Sequence, residues 1–256
     1  MLIDTHAHLT YDTLKDNLPE ILSSFKDNNI EAVFTVGYNL ASSIECVKLA
    51  ESYDNIYAIA GIHPSDVFEA TSADLERLEK LAQHPKCIAI GETGLDFHYY
   101  PYDQALQEQY FVKHLEIAYR LNLPVVIHVR DAYDALVAVL EKNMHLLKFG
   151  GLVHCFSGDI NFFNQIKKYG LKISVGGAIT FKNATALVET IKCIDITDIV
   201  LETDCPYLTP VPFRGREINQ PKYVSLVAEK LAEIKGLSLQ EVMNITTKTA
   251  KEIFRI

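Results

Sequence analysis

The sequence predicts an α/β protein, a (β/α)8 TIM barrel with a C-terminal extra helix. Three observations predict it. Eight short, near-continuous apolar runs recur along the 256 residues. Segments with apolar residues at spacings of three and four lie between them. Most of the runs end in a histidine, a carboxylate or a glycine. Strands that are apolar on both faces belong to parallel sheets covered by helices on both sides, and about eight such units in about 250 residues fit a closed barrel. A doubly wound open sheet is the alternative. No G-x-G-x-x-G follows the first run, which weakens its dinucleotide-binding version.

The strand-like runs, in order, are LIDTH (2–6), AVFTVG (32–37), IYAIAGIH (56–63), CIAIGE (87–92), PVVIH (124–128), GLVHCFSG (151–158), LKISVG (171–176) and IVLETD (199–204). Between them, DLERLEKLAQH (74–84) and DQALQEQYFVKHLEIAYRLN (103–122) carry helical periodicity. SLQEVMNITTKTAKEIF (238–254) is a helix that packs on after the last unit. The chain is 48% hydrophobic and has no low-complexity tract or Ser/Gly-rich linker, so a single domain over residues 1–256 is expected.

No apolar stretch reaches the roughly 18 residues of a membrane-spanning helix. Met1 leads straight into a strand pattern carrying candidate ligands, so no signal peptide is expected. The five cysteines are scattered, odd in number and without a C-x-x-C pair, which suits free thiols in a reducing cytoplasm. Cys155 and Cys205 read as small buried hydrophobes beside ligands rather than as ligands. A net charge of −9 argues against a broad basic face that wraps duplex nucleic acid. It leaves room for a nuclease that grips a few nucleotides through metals and a local basic set such as Arg130, Lys182 and Arg214.

In such a barrel, chemistry sits at the C-terminal ends of the strands. The first run ends in His6 and His8, whose i, i+2 spacing puts both imidazoles on one face. The third ends in His63, the fourth in Glu92 and then Asp96, the fifth in His128 and then Arg130. The sixth ends in His154 and then Ser157, and the last in Glu202 and Asp204; Gly37 and Gly176 end the second and seventh. A lone His-x-His reads equally well as a solvated or carbonyl-bonded pair. Its repetition around the barrel argues for metal, because buried ionisable groups are costly unless paired or metal-bound. Histidine and carboxylate donors without thiolates suit a borderline or hard divalent ion. His6, His8, Glu92, His128, His154 and Asp204 exceed the needs of one open catalytic ion. They suit two ions with a bridging carboxylate, an arrangement fit for phosphoester hydrolysis.

The segments LIDTHAHL (2–9), GIHP (61–64), GETGLDFHY (91–99), LPVVIHVRDA (123–132), VHCFSGD (153–159), SVGGAITFKNA (174–184) and ETDCPYLTP (202–210) resemble the TatD family of metal-dependent deoxyribonucleases, which are amidohydrolase-like TIM barrels. The resemblance runs in order over nearly the whole chain. It implies a phosphodiesterase acting on DNA, with RNA as an alternative, as a 3′–5′ exonuclease at single-stranded or frayed ends through a water activated by two metals. The implied cofactors are two divalent ions (Zn, Mn, Mg, Ni or Co), and no membrane or obligatory protein partner is implied. By the family pattern Glu92 bridges, His6, His8 and Asp204 complete one site, and His128 and His154 the other. Asp204, His63 and Glu92 are then the catalytic residues, with Asp204 orienting or deprotonating the water. His63, expected apart from the ligand pairs, contacts the scissile phosphate or relays a proton. Glu202 is expected to support a ligand histidine. Arg130 reads either as a phosphate contact or as an ion pair with Asp131 or Asp134.

Some positions depart from the family pattern. His63, Pro64 and Ser65 stand where relatives carry His-Pro-His, the loop RGREINQP (214–221) is one residue longer, and Thr249 replaces an Asn. The aromatic stretch Phe97, His98, Tyr99, Tyr100 and Tyr102 reads as a base-stacking loop or as one packed on its neighbours, with His98 as a spare ligand. Two other functions stay open. One is an amidohydrolase acting on a small amide, lactone or base, although Glu92 stands where many two-metal members bridge with a modified lysine. The other is a metal-binding scaffold without activity.

Overall fold

A computed structural model describes residues 1–256. Its strands are β1 (Leu2–Ala7), β2 (Ile30–Val36), β3 (Ile56–Ala60), β4 (Cys87–Asp96), β5 (Val125–Arg130), β6 (Gly151–Val153), β7 (Leu171–Val175) and β8 (Ile199–Leu201). All eight are parallel and pair in chain order, forming a nearly closed TIM barrel with helices between the strands. The chain returns to β1 through a seam beyond β8. Ala7 bridges Cys205, the His8 N–H donates to the Cys205 carbonyl at 2.8 Å, and the Asp204 N–H donates to the His6 carbonyl at 2.9 Å. Buried Asp4 accepts from the Thr203 N–H at 2.8 Å and the Thr203 hydroxyl at 2.6 Å.

Two structural details position the site. β6 and β8 are three residues each, shorter than their apolar runs, so His154 and Asp204 fall in the loops just past them. The pairing register slips in β1 between Asp4 and Ala7, and in β4 between Ile90 and Thr93. Such irregularities re-aim side chains, and here they occur in the strands that carry His6 and Glu92.

The apolar residues divide into two layers. A cluster of 56 buried residues lies mainly between sheet and helices. A separate cluster of 13 joins Ile3, Phe34, Ile59, Val126, Leu152 and Val200 from six strands to Ala250, Ile253 and Phe254. The final helix, Leu239–Phe254, opens on a Ser238/Glu241 capping box and sets the Phe254 ring edge-on to Phe34 at 4.8 Å. This helix therefore does more than pack on after the last unit, because it closes the N-terminal end of the barrel interior. The polar residues collect at the opposite end. No helix is long and apolar enough to cross a membrane.

Candidate active site

Glu92 stands at the centre. Its Oε1 lies 2.7 Å from His154 Nε2, 2.8 Å from His128 Nδ1 and 3.6 Å from His63 Nε2. Its Oε2 lies 3.4 Å from His6 Nε2 and 3.8 Å from His8 Nε2. Asp204 Oδ1 is 3.5 Å from His8 Nε2 and 3.9 Å from His6 Nε2. The structure thus brings His6, His8, His63, Glu92, His128, His154 and Asp204 into one cluster at the C-terminal ends of the strands.

Several rings are held by partners on their far side. His8 Nδ1 faces the Val36 carbonyl at 3.1 Å, so it carries the proton and leaves the Nε2 lone pair toward Glu92 and Asp204. His128 Nε2 faces Asp96 Oδ2 at 3.0 Å, which aims Nδ1 at Glu92. His63 Nδ1 accepts from the Ser65 N–H at 3.1 Å, so neutral His63 carries its proton on Nε2, the nitrogen that faces Glu92. His6 is fully buried and stacks on His154 at 4.0 Å, yet neither of its nitrogens has a hydrogen-bond partner, nor has His154 Nδ1.

Burial works against a charged Glu92, but His154, His63 and His128 outweigh it and hold the carboxyl well below the usual carboxylate range. Burial, reinforced by His154, pushes His6 down to about 4. Burial and then His128 push His63 down to about 3. For His128 burial is overcome by Asp96 and Glu92, which raise it to about 9. Burial thus keeps His6 and His63 neutral, while the carboxylates of Glu92, Asp204 and Asp96 outweigh it at His8 and His128, and that of Glu92 does so at His154, so the cluster combines neutral imidazole lone pairs with carboxylate oxygens, a donor set for a cation. Donor atoms around one small tetrahedral ion stand roughly 3.0–3.5 Å apart. The His6–Glu92, His128–His154 and His8–Asp204 separations of 3.4, 3.2 and 3.5 Å fit that spacing. The orphaned lone pair of buried His6 points the same way.

The profile described as TatD related DNase matches residues 3–255. The chain belongs to the TatD family. The uncharacterized metal-dependent hydrolase YabD of Bacillus subtilis (strain 168) is 40% identical over 256 residues, covering all of both chains. The uncharacterized metal-dependent hydrolase YcfH of Escherichia coli (strain K12) is 33% identical over 258 residues, covering all of this chain and 96% of its own. In structure the chain is similar to YJJV, a TatD homologue from Escherichia coli K12, with a TM-score of 0.94 at 26% identity over all of this chain and 98% of that one. The protein is therefore a metal-dependent hydrolase with clusters of histidine and glutamate able to hold its metal.

Some expected details are corrected in this TatD-family site. His63 does not stand apart from the other histidines. Its ring lies 4.4 Å from that of His128 and shares Glu92 Oε1 with it, because β3 and β5 flank β4. Arg130 pairs with neither Asp131 nor Asp134; its guanidinium reaches the Tyr99 hydroxyl at 3.2 Å and lies over that ring. Asp131 instead binds exposed His98 at 2.7 Å, which removes His98 from the ligand cluster. Glu202 accepts from the Cys155 N–H and the Ser174 hydroxyl and stands 3.9 Å from His154 Nδ1. The aromatic loop packs partly on itself, with Phe97 and Tyr102 stacked at 4.6 Å, while Tyr100 is exposed.

Sequence reasoning assigned no role to Asp96 or His114. Asp96 had a usable signal, since it follows Glu92 by an even interval on the same strand. His114 had none. It sits on the helix Gln104–Leu121, donates from Nδ1 to the Tyr110 carbonyl at 2.7 Å and accepts the Ile62 N–H at Nε2 at 3.1 Å. It holds the chain immediately before His63.

Proposed function

We propose that this TatD-family hydrolase is a two-metal phosphodiesterase that removes nucleotides from the 3′ end of single-stranded or frayed DNA. The observation that carries this reading is the division of histidines between the two oxygens of Glu92. In this reading His6, His8 and Asp204 would hold one divalent ion, His128 and His154 would hold the other, and Glu92 would be shared between them. Two such ions supply Lewis acidity at the phosphoryl oxygens and lower the pKa of water. Zn, Mn, Mg, Ni and Co are the candidate ions, with the first-row metals suited by the histidines.

The chain's own residues supply the rest. Asp204, whose carboxylate is less buried than that of Glu92, orients the attacking water and takes its proton. His63 donates its Nε2 hydrogen to a phosphoryl oxygen, since Ser65 occupies its Nδ1 lone pair. Asp96 keeps the His128 ring in place. Arg130, Lys182 and Arg214 form a short basic set in a chain of net charge −9, which suits a grip on a few nucleotides rather than a long phosphate track. The five unpaired cysteines suit the reducing cytoplasm.

The test is incubation with linear single-stranded oligonucleotides labelled at the 3′ or 5′ end, with a closed circular single strand and with blunt duplex, across a panel of divalent ions. Loss of the 3′ label first, slow attack on duplex and survival of the circle are expected. Cutting the circle as fast as the linear strand overturns the end-directed mode. Failure to cleave any nucleic acid with any ion overturns the nuclease reading.

A further inference from the structure

Three tyrosines from three loops meet on one rim of the barrel mouth. Tyr11 follows β1, Tyr38 follows β2 and Tyr207 follows β8. Each backbone is tied to a residue of the site. The Tyr11 N–H donates to the His8 carbonyl at 3.0 Å, and the Tyr207 N–H donates to the Asp204 carbonyl at 2.9 Å. The Tyr38 carbonyl accepts the His63 N–H at 2.8 Å. The Tyr11 ring lies 5.9 Å from Tyr38 and 5.8 Å from Tyr207, and the latter two rings each stand 6.2 Å from His8. Tyr207 is 47% exposed, and the other two are half-buried.

The chemistry of this rim is uncharged and aromatic. Burial and the neighbouring Tyr11 keep the Tyr207 phenol protonated, and burial with Tyr11, Asp66 and Asp12 does the same for Tyr38. The charged groups acting on Tyr38, Asp66 and Asp12, are acidic, and Arg214, which follows β8 as Tyr207 does, lies over the Phe181 ring. Arg130 ends β5, across the barrel from β1. Rings fixed beside the cluster, with no cation among them, suit a planar, neutral, polarizable group. Such rings stack bases with little regard to sequence.

We propose that Tyr11, Tyr38 and Tyr207 form the subsite for the nucleobase of the terminal nucleotide. This rests on the phosphodiesterase reading and adds where the substrate's neutral part lies. The backbone ties register the base against Asp204 and His63, so stacking at the rim sets the scissile phosphate over the cluster.

Two measurements test it. The first uses a single-stranded oligonucleotide with 2-aminopurine at its 3′ terminus and metal-free protein. Its fluorescence is expected to be quenched on binding to wild type and to stay bright with the Tyr38→Leu/Tyr207→Leu double variant. The second compares kcat/KM for a 3′-terminal nucleotide with and without its base, using metal-loaded enzyme. Wild type is expected to favour the intact nucleotide by about 10- to 100-fold, the scale of one stacked base. In the double variant that ratio collapses toward one, while Tyr38→Phe and Tyr207→Phe keep it. A wild-type ratio near one overturns the subsite and leaves the nuclease standing. A ratio that survives in the double variant and falls in Tyr100→Ala overturns it in favour of the loop after Asp96. Cleavage of neither oligonucleotide, with unquenched 2-aminopurine, overturns the phosphodiesterase and the subsite together.

Discussion

The two oxygens of Glu92 face differently built surroundings. On the Oε1 side, His154 and His128 approach to 2.7 and 2.8 Å and stand 3.2 Å from each other. They come from β5 and the chain after β6, on the same side of the barrel as β4, and Asp96 braces His128 from behind. On the Oε2 side, His6 and His8 stay at 3.4 and 3.8 Å, across the barrel from β4. His6 has no hydrogen-bond partner at either nitrogen, and only His8 is braced, through Val36. Neighbouring strands and a second carboxylate can contract one side without a cation. The other side keeps an open spacing set by packing and by the seam through Asp4 and Thr203.

The severest challenge to this comparison is Glu92→Ala, which removes the group the two sides share. Activity is expected to fall by about 10³-fold or more. Elemental analysis in excess Zn or Mn should then no longer find more than one ion per chain, as it should in wild type. Full occupancy and rate in the variant would mean that the two sides do not meet at Glu92.

His63→Ala probes the contracted side without removing a proposed ligand. The rate is expected to drop by about 10²-fold, the scale for a positioned donor or acid–base group, while metal content stays near wild type. Loss of metal would make His63 a ligand and add a third imidazole to the Oε1 side.

Asp96→Asn sharpens the distinction further. Removing the carboxylate behind a ligand histidine typically weakens metal affinity by about 10- to 100-fold. In a metal titration one class of ion should weaken and the other should not. Equal weakening of both classes would show that the two sides bind as one unit.

The smallest effect on activity is expected at His114, which supports the chain leading to His63 on the Oε1 side. Burial pushes its folded pKa from 6.5 down to about 4, against the opposing bond to Tyr110. The unfolded chain therefore binds the extra proton first as pH falls below 6.5, and the native state loses stability progressively down to about 4. At about pH 5 this amounts to about 2 kcal/mol. His114→Gln keeps an acceptor for Ile62 and abolishes the titration. Thermal melts of metal-free protein at about pH 7 and about pH 5 should show a smaller acid loss in the variant than in wild type. Equal losses would remove His114 from the acid response.

The alternation of apolar runs with amphipathic segments was enough to place eight strands and the barrel, because a strand covered on both faces must be apolar along its length. The same physics made His6, His8, His63, Glu92, His128, His154 and Asp204 legible, since polar groups in such a chain concentrate where strands open to solvent. Their division between the two oxygens of Glu92 was not derivable from strand periodicity, because it depends on register slips in β1 and β4 that only pairing between strands creates. The partner of Arg130 and the bond from Asp96 to His128 likewise required side chains to meet from separate segments. The closing of the barrel by Phe254 and the meeting of Tyr11, Tyr38 and Tyr207 belong to the same class. Local sequence carries periodicity and chemical type; distances between residues far apart in the chain arise only when the sheet closes and sets which loops share a rim.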